Sequence, residues 1–357
     1  MKVFHCDHCG HLLFFENTQC VKCGRLVAYL PDLELVGSLD RNPEPPTDGA
    51  AVTWRSPLAA AEGRAYRLCE NYAAQGVCNW AVDASDPHTF CVSCRLTHVI
   101  PDLTTGDHRP AWYRLEAAKR RLIFTLLRLR LPIVNRTEDP DSGLAFEFKS
   151  DALTGHATGV ITVNLAEADD AERERRRTSL HEPYRTLVGH FRHEIGHYYW
   201  DRLITGGHAL ERFRATFGDE RRDYGEALKA YYANGPAADW QERFISAYAS
   251  AHPLEDWAET WAHYLHMIDT LETADACGIS LQPRRADEPS LPRVSPVVLS
   301  EDAPFDQLID NWFAVTYVLN NLNRGMGLVD AYPFVWSTPA IDKLRFVHDV
   351  VSAARGA

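Results

Sequence analysis

Two histidines four residues apart, with a glutamate beside the first, are the part of this sequence best suited to chemistry. The stretch reads His193-Glu194-Ile195-Gly196-His197. Residues four apart on an α-helix share a face, so both imidazoles can bind one Zn²⁺ ion. Glu194 could then accept a proton from water, as a general base does. The motif is short, so its meaning depends on the elements that position it.

A helix is predicted around this motif over residues 183–203, with Pro183 in its first turn. Apolar residues recur every four positions on the side expected to face the core, namely Leu187, Phe191, Ile195, Tyr199 and Leu203. The opposite side collects ionisable groups, namely His190, His193, Glu194, His197 and Asp201. A plain solvent face would carry more Lys, Arg and Glu, so this clustering favours a metal site. His190 and Asp201 are interpreted as neighbours of the site or as surface groups.

A catalytic zinc site usually has three protein ligands and one position for water. The best source of the third ligand is the segment 252–266, where Pro253 can open a second helix. One face of that helix would carry Trp257, Trp261, Tyr264, Leu265 and Ile268. The other would carry Glu255, Glu259, Ala262 and His266, with His263 beside them. Glu255 and Glu259, one helical turn apart, are both candidate ligands.

Eight of the nine cysteines fall into two sets of four. The first set is Cys6, Cys9, Cys20 and Cys23. It consists of two Cys-x₂-Cys pairs, each followed by Gly, which is typical of a zinc ribbon. No secretory leader is recognised ahead of it, so we expect a reducing compartment, where thiolate–metal bonds are favoured over disulfides.

The second set is Cys69, Cys78, Cys91 and Cys94. It predicts a second four-cysteine zinc site, in which His88 or His98 could replace one thiolate. A site closed by four thiolates has no position for water, so both cysteine sites are expected to be structural. Cys277 is left over and is expected to be an idle thiol.

The motif helix and the segment after Pro253 together resemble the gluzincin metallopeptidases. In that group a second helix supplies a Glu ligand in a pattern like E-x-x-[small]-[acid], and the stretch 255–259, Glu-Asp-Trp-Ala-Glu, fits it. The resemblance implies that Glu255 binds zinc and that Glu259 orients a ligating histidine through its other ring nitrogen. If the register were wrong by one turn, Glu259 would be the ligand.

Nearly the whole chain is similar to a family of bacterial zinc-binding metallopeptidases that carry an N-terminal zinc ribbon. The similarity rests on the ribbon cysteines, the motif helix over 184–201 and the segment 252–266. It implies a zincin fold with an edge strand beside the cleft, where a substrate backbone can pair. The candidate for this strand is the segment 159–164, which precedes a charged loop at 169–177.

Composition limits the other possibilities. The 357 residues are 45% hydrophobic, which suffices for a large core or two domains. A net charge of −12 argues against general nucleic-acid binding. No apolar run approaches the roughly eighteen residues needed to cross a membrane. We therefore expect a soluble cytoplasmic protein with no membrane partner, and the resemblance to the metallopeptidases implies a peptide or protein substrate.

Four regions are predicted along the chain. They are a zinc ribbon at 1–30, a linker at 31–56 rich in Pro, Asp and Gly, a second four-cysteine module at 57–105, and a zincin-like domain at 106–357. Helices are predicted over 110–130, 305–323 and 338–354, and strands over 144–149 and 159–165. The expected fold class is α+β, a mostly helical zincin-like metallopeptidase domain with a small sheet, preceded by four-cysteine zinc modules.

Together these features predict a zinc-dependent hydrolase of the metallopeptidase type with three zinc ions, one catalytic and two structural. Glu194 would act as general base and later pass its proton to the leaving amine. Tyr224, His252 and His263 are candidates to stabilise the developing oxyanion. The alternative is a non-catalytic zinc-binding scaffold whose ribbons bind a protein partner or, less readily, a nucleic acid. Such a scaffold would have no need of Glu194.

Overall fold

Ten α-helices and twelve short β-strands form the regular structure of residues 2–43, 51–179, 186–291 and 304–355, which the computed structural model describes. The helices are α1 (Glu70–Ala73), α2 (His108–Arg128), α3 (Asp170–Ser179), α4 (Leu187–Leu203), α5 (Leu210–Phe217), α6 (Tyr224–Asn234), α7 (Trp240–Arg243), α8 (Pro253–Ala276), α9 (Phe305–Gly325) and α10 (Thr338–Ala354). The strands are β1 (Phe4–His5), β2 (Leu12–Leu13), β3 (Val27–Leu30), β4 (Leu35–Ser38), β5 (Asp40–Arg41), β6 (Trp54–Arg55), β7 (Ala65–Leu68), β8 (Ala81–Asp83), β9 (Thr97–Val99), β10 (Ala145–Lys149), β11 (Gly155–Ala157) and β12 (Val160–Asn164).

The α+β class and its mostly helical character, predicted from the sequence, are confirmed. The helices expected over 110–130, 305–323 and 338–354 are α2, α9 and α10, with ends that differ by at most two residues. Across the described part of the chain, no helix has the length and apolar character that a membrane span requires.

Small antiparallel sheets build the N-terminal third of the chain. β1 pairs with β2, β3 pairs with β4, and four strands follow in the order β5-β6-β7-β8. The predicted linker at 31–56 is corrected here, because β4, β5 and β6 lie inside it. Residues 44–50 of that range lie outside the described residues. Pro31 and Asp32 suggested a linker, but they lie in the turn between β3 and β4.

This N-terminal region packs against α2. The ring centroid of Phe124 lies 5.3 Å from that of Phe15 and 5.6 Å from that of Tyr29. Arg128, one turn further along α2, makes an ion pair with Glu34. One continuous cluster of buried side chains therefore joins the ribbon to the long helices α8 and α10.

A four-stranded mixed sheet lies beside the motif helix in the order β11-β12-β10-β9. β10 is parallel to β12 and to β9, whereas β11 is antiparallel to β12. The strands predicted over 144–149 and 159–165 are β10 and β12, but β12 is an inner strand. The edge strand expected at 159–164 is instead β11, because Thr158 and Gly159, with φ of 45° and 83°, turn the chain back in a two-residue hairpin.

The charged segment predicted as a loop at 169–177 is the helix α3. Asp169 precedes it, and its Oδ1 accepts hydrogen bonds from the backbone amides of Ala171 and Glu172 at 2.7 and 3.1 Å. Arg175 and Glu172, three residues apart on the helix, form an ion pair at 2.8 Å. The prediction was wrong because the segment lacks apolar periodicity, whereas caps and local ion pairs support a helix here.

Candidate metal centres

Helix α4 carries His193 and His197 on the side that faces a cleft. Its first turn is capped by Thr186, whose hydroxyl oxygen accepts a hydrogen bond from the amide of Gly189 at 3.0 Å. The predicted first turn at Pro183 lies outside the described residues. The Nε2 atoms of the two histidines are 3.3 Å apart. Zn–N bonds of about 2.0–2.1 Å in a tetrahedral site place the nitrogens about 3.3 Å apart, so the pair fits one zinc ion.

Helix α8 brings a carboxylate to this pair. Its start is fixed by His252, whose Nδ1 accepts a hydrogen bond from the amide of Leu254 at 3.2 Å, and by the proline between them. Oε2 of Glu255 is 3.1 Å from Nε2 of His193, and Oε1 is 3.6 Å from Nε2 of His197. The structure thus brings His193, His197 and Glu255 together, with one ligand atom from each within 4.8 Å of the others.

Glu259 lies on the opposite side of His193, one turn further along α8. Its Oε1 is 2.7 Å from Nδ1 of His193, and its Oε2 accepts a hydrogen bond from the hydroxyl of Ser246 at 2.6 Å. A carboxylate in this position fixes the tautomer and orientation of a metal-binding imidazole. Ser246 carried no sequence signal, because it lies in an irregular segment before α8.

The ionisable groups of this cluster shift one another's pKa values. Burial lowers the pKa of His193, but Glu255 and Glu259 outweigh burial and raise it well above its ordinary value. Burial raises the pKa of Glu255, but the positive charge of His197 and the hydrogen bond from His193 lower it to about 2. A proton therefore competes with a metal ion at His193, whereas Glu255 is ionised near neutral pH.

Small residues let α4 and α8 approach closely at the level of these ligands. A Cβ atom on Gly196 would lie 3.0 Å from Cα of Ala258 and 3.2 Å from Cβ of Trp261. The carbonyl oxygen of Gly196 accepts a hydrogen bond from the indole of Trp257 at 2.8 Å. Both tryptophans are fully buried, as the apolar face of the predicted helix requires. Ala258, the small position of the stretch 255–259, is therefore a helix–helix contact.

A cavity of about 350 Å³ opens in front of the three side chains. Its other lining residues are Thr154, Gly155, His156, Glu194, Trp200, Asp201, Tyr224, Tyr248 and Leu254. Burial lowers the pKa of His156 to about 4, and its Nε2 accepts a hydrogen bond from the amide of Gly159 at 3.1 Å. Sequence reasoning missed His156 and Tyr248, because both lie in short segments without periodicity.

Of the three oxyanion candidates, Tyr224 lines the cavity. Its hydroxyl donates a hydrogen bond to Oε1 of Glu255 at 2.5 Å. His252 is engaged at the start of α8, where its Nε2 lies 3.1 Å from a backbone carbonyl oxygen. His263 is buried, with its Nδ1 2.5 Å from the hydroxyl of Tyr332. Neither histidine lines the cavity.

Glu194 is buried beside the same cleft and contacts His190, one helical turn earlier. Burial raises the pKa of Glu194, but the hydrogen bond from His190 and the charges of nearby imidazoles outweigh burial and lower it. The carboxylate is therefore ionised near neutral pH, the state in which it can accept a proton.

The first four cysteines meet in two matching turns. The Sγ atoms are 3.7 Å apart in the pair Cys6 and Cys23, and 3.6 Å apart in the pair Cys9 and Cys20. Four thiolates about 2.3 Å from one zinc ion lie about 3.8 Å apart, whereas a disulfide needs about 2.05 Å. Each turn ends at the glycine after the second cysteine, with φ of 70° and 72°, a conformation that favours glycine.

The second cysteine group consists of Cys69, Cys78, Cys91 and Cys94, all buried. The Sγ atoms of Cys78 and Cys91 are 3.8 Å apart, again a spacing that fits zinc. The possible alternative ligands His88 and His98 are exposed and lie outside this group. Cys277, the leftover thiol, is exposed at the end of α8.

A buried arginine lies next to the second group. Arg120 is 1% exposed and donates a hydrogen bond to the carbonyl oxygen of Val77. Burial lowers the pKa of Arg120, but the charge of Cys78 and of neighbouring thiolates and Glu116 outweighs burial and raises it. Four thiolates around Zn²⁺ retain a charge of about −2, which this cation offsets.

The two cysteine groups and the His–Glu cluster together define a protein with zinc-binding modules. Comparisons with known proteins agree with this class. A zinc-ribbon domain model matches residues 3–105, and a model described as "Putative zinc-binding metallo-peptidase" matches residues 108–350. The chain therefore belongs to this metallopeptidase family and carries its zinc ribbon ahead of the peptidase domain.

Three proteins similar to this chain come from mycobacteria. Uncharacterized proteins of Mycobacterium bovis and of two strains of Mycobacterium tuberculosis are each 43% identical to this chain over 357 residues. The matched region covers 98% of this chain and 95% of each relative. No solved structure matches the chain.

Proposed function

We propose that this chain is a zinc-dependent peptidase in which His193, His197 and Glu255 hold a catalytic zinc and the two cysteine groups hold structural zinc. The observation that carries the proposal is the convergence of these three side chains at an open cavity, with ligand atoms within 4.8 Å of one another. The cysteine groups lack this access, because four thiolates close the coordination of zinc.

The residues around the cavity supply the remaining functions of a hydrolase. Zinc in such a site lowers the pKa of water and polarises a carbonyl oxygen. Glu194 accepts the proton of the attacking water and later passes it to the leaving amine. Tyr224 lines the same cavity, and its single O–H, which it donates to Oε1 of Glu255, would turn to the developing oxyanion and stabilise it.

The edge of the mixed sheet favours a peptide over other hydrolase substrates. β11 is the outermost strand of its sheet in the described residues, and Thr154, Gly155 and His156 line the cavity. An extended peptide can pair with such an edge through its backbone. That pairing would bring a backbone carbonyl next to the zinc ligands, whereas a sugar or phosphate ester could not use it.

The first ribbon supports a further, non-catalytic role as a contact for a protein partner. Leu12, Phe14 and Val21 are 44%, 66% and 81% exposed on its surface. A protein partner that covers these side chains would remove their apolar surface from water. Eight thiols arranged for metal binding also support a reducing compartment such as the cytoplasm.

Glu194→Gln tests the peptidase proposal. The variant should keep its fold and three zinc ions and lose peptide hydrolysis by roughly 10²- to 10⁴-fold, because an amide cannot accept the proton. The assay is a mixed peptide library read by mass spectrometry, with zinc-loaded protein. Glu226→Gln, at an exposed position on α6, is the matched control and should cleave as wild type does.

The proposal fails if zinc-loaded wild type cleaves nothing in the library, or if Glu194→Gln cleaves at the wild-type rate. In that case the scaffold function gains support if a partner binds equally after Glu255→Ala and is lost after Phe14→Ser. A true substrate would instead be retained by Glu194→Gln and released by Glu255→Ala.

A further inference from the structure

His190 lies between two buried carboxylates. Its Nε2 is 3.3 Å from Oε1 of Glu194, one turn later on α4, and its Nδ1 is 3.6 Å from Oε2 of Glu167. Each ring nitrogen of His190 therefore faces a different carboxylate. Of these carboxylates, Glu194 lines the cavity and Glu167 lies behind the histidine.

Glu167 is fixed by elements outside α4. It belongs to the short turn Leu165–Ala168 that follows β12, and its side chain is 0% exposed. The turn is capped by Asn164, whose side-chain oxygen accepts a hydrogen bond from the amide of Ala166 at 2.8 Å. Arg114 of α2 donates a hydrogen bond to the last carbonyl oxygen of the turn at 2.9 Å. The position of this carboxylate is therefore set by the sheet and α2.

The charges of this group reinforce the geometry. Burial lowers the pKa of His190, but Glu167 and Glu194 outweigh burial and raise it above its ordinary value. A protonated imidazole has two N–H donors, one for each carboxylate. Both contacts are ion pairs, at 3.3 Å to Glu194 and 3.6 Å to Glu167, and the attraction between buried opposite charges restrains the side chain of Glu194.

We infer that His190, anchored on Glu167, is a positioning residue that holds the Glu194 carboxylate in the orientation from which it reaches water in the cleft. This inference rests on the proposed peptidase function. A contact between residues four apart is common on helices and would not by itself indicate a role. The second carboxylate, brought from the turn after β12, is what fixes the ring and hence its contact with Glu194.

The kinetic test compares His190→Leu with His190→Gln. Leucine has no hydrogen-bond donor, whereas the amide nitrogen of glutamine can occupy about the position of the imidazole Nε2 and donate to Glu194. The substrate is one peptide that wild type cleaves in the mixed library. His190→Leu should lower kcat by roughly 10- to 100-fold, as a misplaced catalytic group does, with KM and zinc content unchanged. His190→Gln should restore most of the lost kcat. Glu167→Leu should reproduce part of the loss.

Arg202→Leu is the matched control for loss of a polar contact on the same helix. Arg202 pairs with Asp139 at 2.6 Å and does not line the cavity, so this variant should keep its kcat. The inference is overturned if His190→Leu keeps the wild-type kcat, if its loss equals that of Arg202→Leu, or if His190→Gln falls as far as His190→Leu.

Crystal structures of the zinc-loaded wild type and His190→Leu separate this inference from the peptidase proposal. If wild type cleaves no peptide, the proposed function fails, yet the side-chain torsions of Glu194 still test the positioning. A rotated or disordered Glu194 carboxylate in His190→Leu supports the inference. An unchanged carboxylate in that variant overturns it.

Discussion

The cysteine groups and the His–Glu cluster differ in what holds their ligands in place. Each cysteine group depends largely on short turns and brings thiolates together with little help from long elements. In the cleft, two long helices pack through Gly196 and Ala258, and Glu259 stands behind His193. In turn-built sites the metal supplies much of the folding free energy, whereas in the cleft the packed helices preform the site. Metal loss should therefore unfold the first kind of site and merely empty the second.

The two cysteine groups also differ from each other. Cys9 and Cys23 of the first group are partly exposed, whereas all four cysteines of the second are buried. Arg120 on α2 borders the second group, so its zinc is part of the interior between the N-terminal sheets and that helix. The second zinc should therefore matter more to the whole chain than the first.

The largest expected effect is the loss of cooperative folding in Cys91→Ser. A structural zinc contributes about 10–16 kcal/mol of apparent binding free energy, comparable with the whole stability of a domain. Cys23→Ser is the matched variant in the first group and should lose one zinc while the helical part still unfolds cooperatively. Thermal unfolding followed by circular dichroism, with zinc analysis, measures both. Equal transitions in the two variants would contradict the difference between the groups.

A smaller effect is expected when the carboxylate behind His193 is removed. Glu259→Ala should weaken zinc binding in the cleft by roughly 10- to 100-fold, with the cysteine zincs and helix content unchanged. Asp275→Ala, at an exposed position on α8, is the control and should bind zinc as wild type does. Competition with a chelator gives the affinity. If Glu259→Ala abolished cleft zinc while Glu255→Ala retained it, Glu259 would be the ligand.

The helix contact predicts a modest loss of stability in Gly196→Ala. Alanine is favoured over glycine inside helices by about 1 kcal/mol, but here its Cβ would press on the backbone of Ala258. Overpacking costs typically about 1–3 kcal/mol, so the net effect should be destabilising. Gly207→Ala, where the nearest atom would be at 3.5 Å, should not destabilise by this mechanism. Denaturant unfolding compares the two, and a more stable Gly196→Ala would refute the close approach.

The smallest expected effect is the release of a proton from His193 when zinc binds in the cleft. Because the pKa of His193 is raised, its ring is protonated near neutral pH, and zinc must displace that proton. Zinc affinity should then rise with pH, by up to about tenfold per unit below that pKa. Calorimetry with the cysteine groups already loaded, in buffers of different ionisation enthalpy, counts the released proton. A count of zero at neutral pH would show that His193 is neutral before zinc binds.

The amphipathic helices and the closely spaced metal ligands could be predicted from the sequence, but contacts between residues far apart in the chain could not. The helices α2 and α8 and the two faces of α4 could be predicted because apolar residues recur at the helical period. The cysteine sites could be predicted because two cysteines separated by only a few residues are typical of zinc binding. The predicted edge strand was wrong by one strand, because the hairpin turn before β12 was not recognised. Thr158 in that turn has a positive φ, which is uncommon for threonine and could not be predicted from its residue type. Glu167 and Ser246 carried no signal, since their contacts are created by packing between distant segments.

The short strand β9 has a consequence for any attempt to divide the chain. Thr97 begins it three residues after Cys94, and it pairs with β10 at one end of the sheet whose opposite edge borders the cleft. A protein beginning at residue 106 would leave that flank of β10 unpaired, and an exposed strand flank is a template for association with other chains. We expect such a truncated protein to aggregate, and we expect that adding back residues 57–105 as a separate polypeptide would suppress the aggregation.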